Sequence, residues 1–311
     1  MPAEHADLVL SGGGVKGIGL VGAVAALVDS GYAPQRISGT SAGALVGAVL
    51  AAAAQRGAVD GARLQELAMS IDYRKFLDQG PIERIPLAGP AWGVLTGSGI
   101  YRGDNLHAWI TDRLAEYGVS TFADLAIDDR ALPPEQRYRL VVTVADVSIG
   151  QLVRLPWDYQ RLYGLDPDEQ LVADAVRAST AIPFFYRPAT LTAADGREAT
   201  LVDGGLLSNF PIDSLDRTDG GKPRWPTFGV TLLPEMAGEL ARERAAEKSR
   251  DAGLAHRTQV IAAGADAIER ARRARLRACD ARSWSSACSA WSRPASCRAR
   301  PRRSGSRRTS R

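Results

Sequence analysis

The chain has 311 residues, 45% of them hydrophobic and 24% charged, a composition that excludes a disordered polypeptide and suits one large domain or two small ones around a buried core. Its longest apolar run, residues 42–54, falls short of the roughly 20 residues a helical membrane span needs, and the acidic start with Glu4 and Asp7 lacks the basic region and small-residue cleavage site of a secretory signal. The expected location is therefore the cytoplasm, without a transmembrane helix. The net charge of +4 hides a division: residues 270–311 carry 14 arginines and the single acid Asp280, a net +13, which leaves −9 on residues 1–269.

In chain order, Asp7–Leu10 reads as a first strand and Gly17–Ser30 as a helix with apolar residues at Ile18, Val21, Val24, Leu27 and Val28, closed by Gly31. Arg36–Ser38 reads as a short second strand and Ala42–Gln55 as a helix so apolar that it must be buried on most sides. Residues 61–71 and 104–117 have amphipathic helical spacing, while 79–103, rich in Gly and Pro, reads as an irregular excursion that could cover a site. Tyr138–Val144 is the clearest central strand, with Gln151–Leu155 as its neighbour. Leu171–Ser179 reads as a helix, Thr200–Val202 as a short strand, Thr227–Leu233 as the last strand, and 238–277 as one long charged helix. This alternation predicts an α/β domain with a largely parallel sheet over residues 1–269.

Beyond residue 278 there is no Val, Ile or Phe, and Arg, Ser, Ala and Pro dominate. Such a segment cannot bury enough apolar surface to offset its ordering entropy, so 270–311 is expected to be a basic, disordered tail. The same bias would arise from a GC-rich gene read in a shifted frame. Cys279, Cys288 and Cys297 all lie in this tail without the close pairing of a zinc site, and neither a metal nor a disulfide framework is expected. A tail with so few aromatics gives no specific expectation of a nucleic acid partner.

Glycines 12, 14 and 17 satisfy the dinucleotide pattern G-x-G-x-x-G, but the second strand ends in Gly39-Thr-Ser-Ala-Gly43 where a ribose-binding acid should stand. Lys16 is followed by Gly17-Ile18 and not by the Ser or Thr of a P-loop. What replaces the acid has the context of a nucleophile elbow, a G-x-S-x-G between a strand and an apolar helix, in which small residues at 39 and 43 allow the sharp turn that lifts the Ser41 hydroxyl out. Gly12-Gly13-Gly14 then offers backbone N–H groups for an oxyanion, and Lys16 adds either a positive charge or a solvated side chain. None of His5, His107 and His256 stands in a strand-end loop where a triad base belongs. Asp203, between Leu201-Val202 and Gly204-Gly205, is the better base.

Together Gly12–Gly17, Gly39–Gly43 and Asp203–Gly205 resemble the three signatures of the patatin-like phospholipase family, and Ala178–Pro183 with Asn209-Phe-Pro211 is similar to it in order and spacing. The resemblance covers roughly residues 6–235. It implies a three-layer α/β/α fold with a mostly parallel central sheet, Ser41 as nucleophile, Asp203 as its partner, Gly12, Gly13 and Gly14 as oxyanion hole, and no cofactor. It also implies an acyl lipid or phospholipid substrate, with peripheral membrane contact allowed. The alternative is a catalytically silent member that acts as a lipid-binding module.

Overall fold

The computed structural model describes residues 4–57, 59–78, 99–130, 132–217, 223–232 and 259–262, all in the first of the two units into which the chain divides, Met1–Glu269 and Arg270–Arg311. Most of the excursion expected over 79–103, and the whole tail, lie outside the described residues.

Strand β1 (Glu4–Leu10) leads through a tight helical turn into α1 (Ile18–Asp29), and β2 (Tyr32–Thr40) follows after Gly31, whose φ of 96° makes the reversal. Next come α2 (Ala42–Gln55), α3 (Gly61–Ser70) and α4 (Asp104–Glu116). The Asp60 carboxylate starts α3 by accepting the Ala62 N–H at 2.9 Å, satisfying one of the orphan donors of a helix start. The second half contains β3 (Leu140–Asp146), β4 (Gln151–Leu155), α5 (Val172–Ser179), β5 (Ala189–Thr192), β6 (Glu198–Asp203), β7 (Thr227–Thr231) and β8 (Gln259–Ala262).

The strands form one sheet in the order β5-β6-β3-β2-β1-β7-β8, with β4 also paired to β3. Its centre is parallel, from β3 through β2, β1 and β7 to β8; β4 and β6 run antiparallel to β3, and β5 antiparallel to β6. The mixed α/β class with a mostly parallel central sheet is thus as the sequence indicated. Alternation along β1 and β3 separates two cores: Leu8, Leu10, Leu140, Val142 and Val144 face the helices, while Val9 and Val141 face Leu215, Phe210, Ile212 and Trp157. Helices α1 to α5 all contribute to the first core; a second helical layer is not seen among the described residues.

Two elements correct the reading of the sequence. Strand β5 was not anticipated, its four residues being too short for a periodic signal. Strand β8 interrupts the charged helix expected over 238–277: the β-branched pair Val260-Ile261 extends the sheet on the open edge of β7, where pairing satisfies backbone groups of both strands. Strand β3 also starts at Leu140, because Tyr138 is taken up by an isolated bridge to Ala126.

Helix α2 is buried over ten of its fourteen residues, so small side chains must let it sit close to the sheet. Gly47 does this directly, since a Cβ there would lie 3.0 Å from the Ile37 side chain. One ion pair is buried in the sheet. Arg36 of β2 reaches Asp7 of β1 through its backbone N–H at 3.2 Å and its Nε at 3.1 Å, and donates from Nη2 to the Leu215 carbonyl at 3.0 Å.

Candidate active site

The register of the sheet sets the site. Thr40 at the end of β2 pairs with Thr143 of β3, and Val144, one residue on, pairs with Asp203 at the end of β6. Two residues 162 positions apart in the chain, Ser41 and Asp203, therefore meet at one level of the sheet. Leu10, which pairs with Gly39, brings the glycine loop to the same level. The ends of parallel strands are where open α/β sheets place their ligands.

Ser41 has φ 53° and ψ −120°, a conformation that costs a residue with a side chain about 1–3 kcal/mol. Close packing enforces it. A Cβ on Gly39 would fall 2.5 Å from the Gly43 carbonyl carbon, and one on Gly43 would fall 2.7 Å from the Leu10 carbonyl carbon and the Ser11 oxygen. Only glycine at both positions lets the turn close against β1. The Ser41 carbonyl accepts the N–H groups of Ala44 and Leu45 at 2.9 and 3.1 Å, so α2 begins at the serine and directs its positive end there.

The Ser41 N–H is held from below. It donates to Ser179 Oγ at 2.9 Å, and Ser179 Oγ donates to the Thr143 carbonyl at 2.7 Å; Thr143 Oγ1 in turn bonds Thr40 Oγ1. Ser179, at the end of α5, has no exposed surface. Reasoning from the sequence did not single it out, although the stretch Ala178–Pro183 contains it.

The Ser41 hydroxyl lies beside the Asp203 carboxylate and favours its charged form, and Asp203 Oδ1 accepts the Gly205 N–H at 2.7 Å. Both residues are 5% exposed. Burial raises the pKa of the Asp203 carboxyl above its ordinary value, and the nearby Ser41 hydroxyl and the Gly205 N–H oppose the rise without cancelling it. Gly204 has room for no side chain, since a Cβ would lie 2.5 Å from the Thr143 carbonyl oxygen.

The glycine loop lies against the serine: a Cβ on Gly12 would come within 3.3 Å of the Ser41 Cβ. Gly12, expected to offer its N–H to an oxyanion, donates it here to the Asn209 carbonyl at 2.9 Å. Asn209 Nδ2 returns a bond to the Gly12 carbonyl at 3.3 Å, which anchors the loop to the segment after Asp203. The N–H groups of Gly13 and Gly14 donate to no described residue. Lys16 is exposed, and Gly17 lies at the junction with α2, where a Cβ would meet the Ala42 Cβ at 3.1 Å.

The histidines stand apart. His107 belongs to α4 and bonds Asp174 of α5 at 2.6 Å, and His5 lies beside Trp225 with ring centroids 5.7 Å apart. His256 is outside the described residues. The structure thus unites a strained buried serine, a buried carboxylate and a loop of backbone donors.

A mostly parallel α/β sheet with a strand–serine–helix turn near its centre carries this site, and residues 8–216 match the family model described as patatin-like phospholipase. The chain belongs to that family, a family of lipid hydrolases. It is 37% identical to the protein YqhO of Bacillus subtilis, over 80% of this chain and 76% of the relative. An NTE family protein of Mycobacterium tuberculosis is 31% identical over 74% of this chain, which spans only 50% of that relative. Among solved structures, VipD from Legionella pneumophila aligns with 86% of this chain and 64% of its own length at 20% identity, with a TM-score of 0.44.

Proposed function

We propose that this protein is a serine lipid acyl hydrolase of the phospholipase A or lysophospholipase type, working through an acyl-enzyme with Ser41 and Asp203 as a dyad. The observation that carries this is the Ser41 hydroxyl, raised on a strained backbone at the head of α2 beside the buried Asp203 carboxylate. A serine used only to cap a helix has no need of either feature.

In this mechanism Asp203 takes the proton of Ser41 as Oγ attacks the ester carbonyl carbon. The negative charge that develops on the carbonyl oxygen is met by the N–H groups of Gly13 and Gly14 and by the positive end of α2. Collapse of the tetrahedral species breaks the ester bond, the leaving alkoxide takes the proton from Asp203, and the acyl group stays on Ser41. Water then attacks the acyl-enzyme, gives a proton to Asp203, and releases the fatty acid as that proton returns to Ser41. An aspartate is a weak base for a hydroxyl, so its raised pKa and its place beside the nucleophile both favour the step. Ser179 and Thr143 hold the serine backbone, and Asn209 holds the glycine loop.

The test is labelling with a fluorophosphonate probe, with the modified peptide located by mass. Labelling at Ser41 that is lost in Ser41→Ala is the expected result. A folded sample that does not label there would end the hydrolase reading and leave a silent lipid-binding member of the family.

A further inference from the structure

Ten large apolar side chains among the described residues stand exposed, and five of them, Ile182, Phe184, Phe185, Leu206 and Leu207, belong to two short loops that meet at the dyad. The loops are joined where the Asp203 N–H donates to the Ala181 carbonyl at 2.9 Å, one residue before Ile182; Leu206 follows Asp203 by three positions. The first loop is firmly held. Phe185 and Tyr186 donate to the Ile182 carbonyl at 3.1 and 2.9 Å, and Ile100 and Tyr101 donate to the Phe185 carbonyl at 3.1 and 2.8 Å. Within it Phe184 has φ 67°, a left-handed backbone that a bulky residue rarely adopts, and its side chain is left 60% exposed. Leu206 and Leu207 are 56% and 51% exposed.

We infer that this rim is a docking surface for a zwitterionic phospholipid membrane, with Phe184, Leu206 and Leu207 as the inserting side chains. The choice of occupant rests on the reading of the site as a lipid hydrolase: the rim borders the serine that would take the acyl ester, and an ester held in a lipid surface reaches a buried serine only when the surrounding protein enters that surface. Charge decides the kind of membrane. Residues 1–269 carry a net −9, which disfavours an anionic surface, while apolar insertion needs no charge partner.

The experiment uses the full chain as Ser41→Ala, so that binding is measured without turnover, with phosphatidylcholine vesicles in a flotation assay at low and high salt. High salt suppresses any contribution from the 14 arginines of 270–311. The expected result is binding that persists at high salt and weakens by about tenfold or more when Phe184→Asn, Leu206→Gln and Leu207→Gln are added. Asn tolerates a left-handed backbone and the leucines are exposed, so the melting temperature of the combined variant should match its parent, which verifies its fold. Three outcomes would overturn the inference: undiminished binding by the combined variant, binding seen only at low salt or only on anionic vesicles, or a change confined to oligomeric state, which would assign the rim to a second copy of the chain. Failure of the hydrolase reading would appear separately, as absence of fluorophosphonate labelling in the parent protein.

Discussion

At the scale of single residues, the proposed dyad would couple activity to stability through Asp203. Its pKa is raised in the folded state by burial, so the native protein holds that proton to higher pH than the unfolded chain does. The contribution of this group to stability is therefore complete at acid pH and is lost as pH rises through its folded pKa. The proposed mechanism needs the ionised form, which is the less stable one. Asp203→Asn is expected to lower turnover by about a thousandfold, the scale of a lost general base, while raising the melting temperature at neutral pH. The melting difference should shrink as pH falls into the carboxylate range. In the wild type, the acid limb of kcat/KM should titrate above the ordinary range of an aspartate. A variant with near-normal rate would refute the assignment of Asp203. Ser179 stands one bond further out, holding the Ser41 backbone N–H, and in the proposed mechanism serves as a positioning residue. Ser179→Ala should reduce kcat by up to about a hundredfold with little change in KM, and Ser179→Thr, which restores a hydroxyl, should recover part of the loss. A fall in stability with unchanged kcat would make its role purely structural.

At the scale of elements, the site depends on how closely α2 and β1 approach and on how β1 and β2 are joined. Asp7 and Arg36 are buried at 2% and 6% exposure, and the pair links the two strands that deliver the glycine loop and the elbow. Asp7→Ala leaves a guanidinium buried without its counter-charge and is expected to cost about 3–5 kcal/mol in chemical denaturation. Asp7→Ala combined with Arg36→Met should recover much of that loss, because the uncompensated charge is gone. If the double variant is no more stable than the single one, the pair is not the source of the loss. The elements themselves were largely legible in the sequence. Helix α2 was read with its observed bounds because its apolar run is continuous and starts directly after the elbow serine. Strand β8 was misread, because a four-residue strand inside a charged stretch has no period of its own and forms only where an edge awaits it.

At the scale of the whole molecule, the division of charge invites a separate prediction. Residues 270–311 hold the +13 that offsets the acidic −9 of the rest, and no motif of the proposed chemistry lies within them. A chain ending at residue 269 is expected to keep fluorophosphonate labelling at Ser41 and its melting temperature, and to lose salt-sensitive retention on a cation exchanger. Loss of folding in the shortened chain would show that the tail contributes to the domain, against its composition.

By itself the sequence determined the chemistry available and the order in which it appears. A serine flanked by glycines two positions away on either side, a glycine run after the first strand and an Asp-Gly-Gly after a late one are local patterns, each dictated by what a short stretch of backbone can do. The tertiary structure alone decided which of these groups meet and which donors stay open. The pairing of Val144 with Asp203 is a register across strands far apart in the chain, and no local pattern encodes it. The withdrawal of the Gly12 N–H to Asn209, and the support of Ser41 by Ser179, depend on contacts spanning 197 and 138 positions. Such bonds form only after the sheet has brought its strand ends together, and for that reason they are read from the fold and not from the chain.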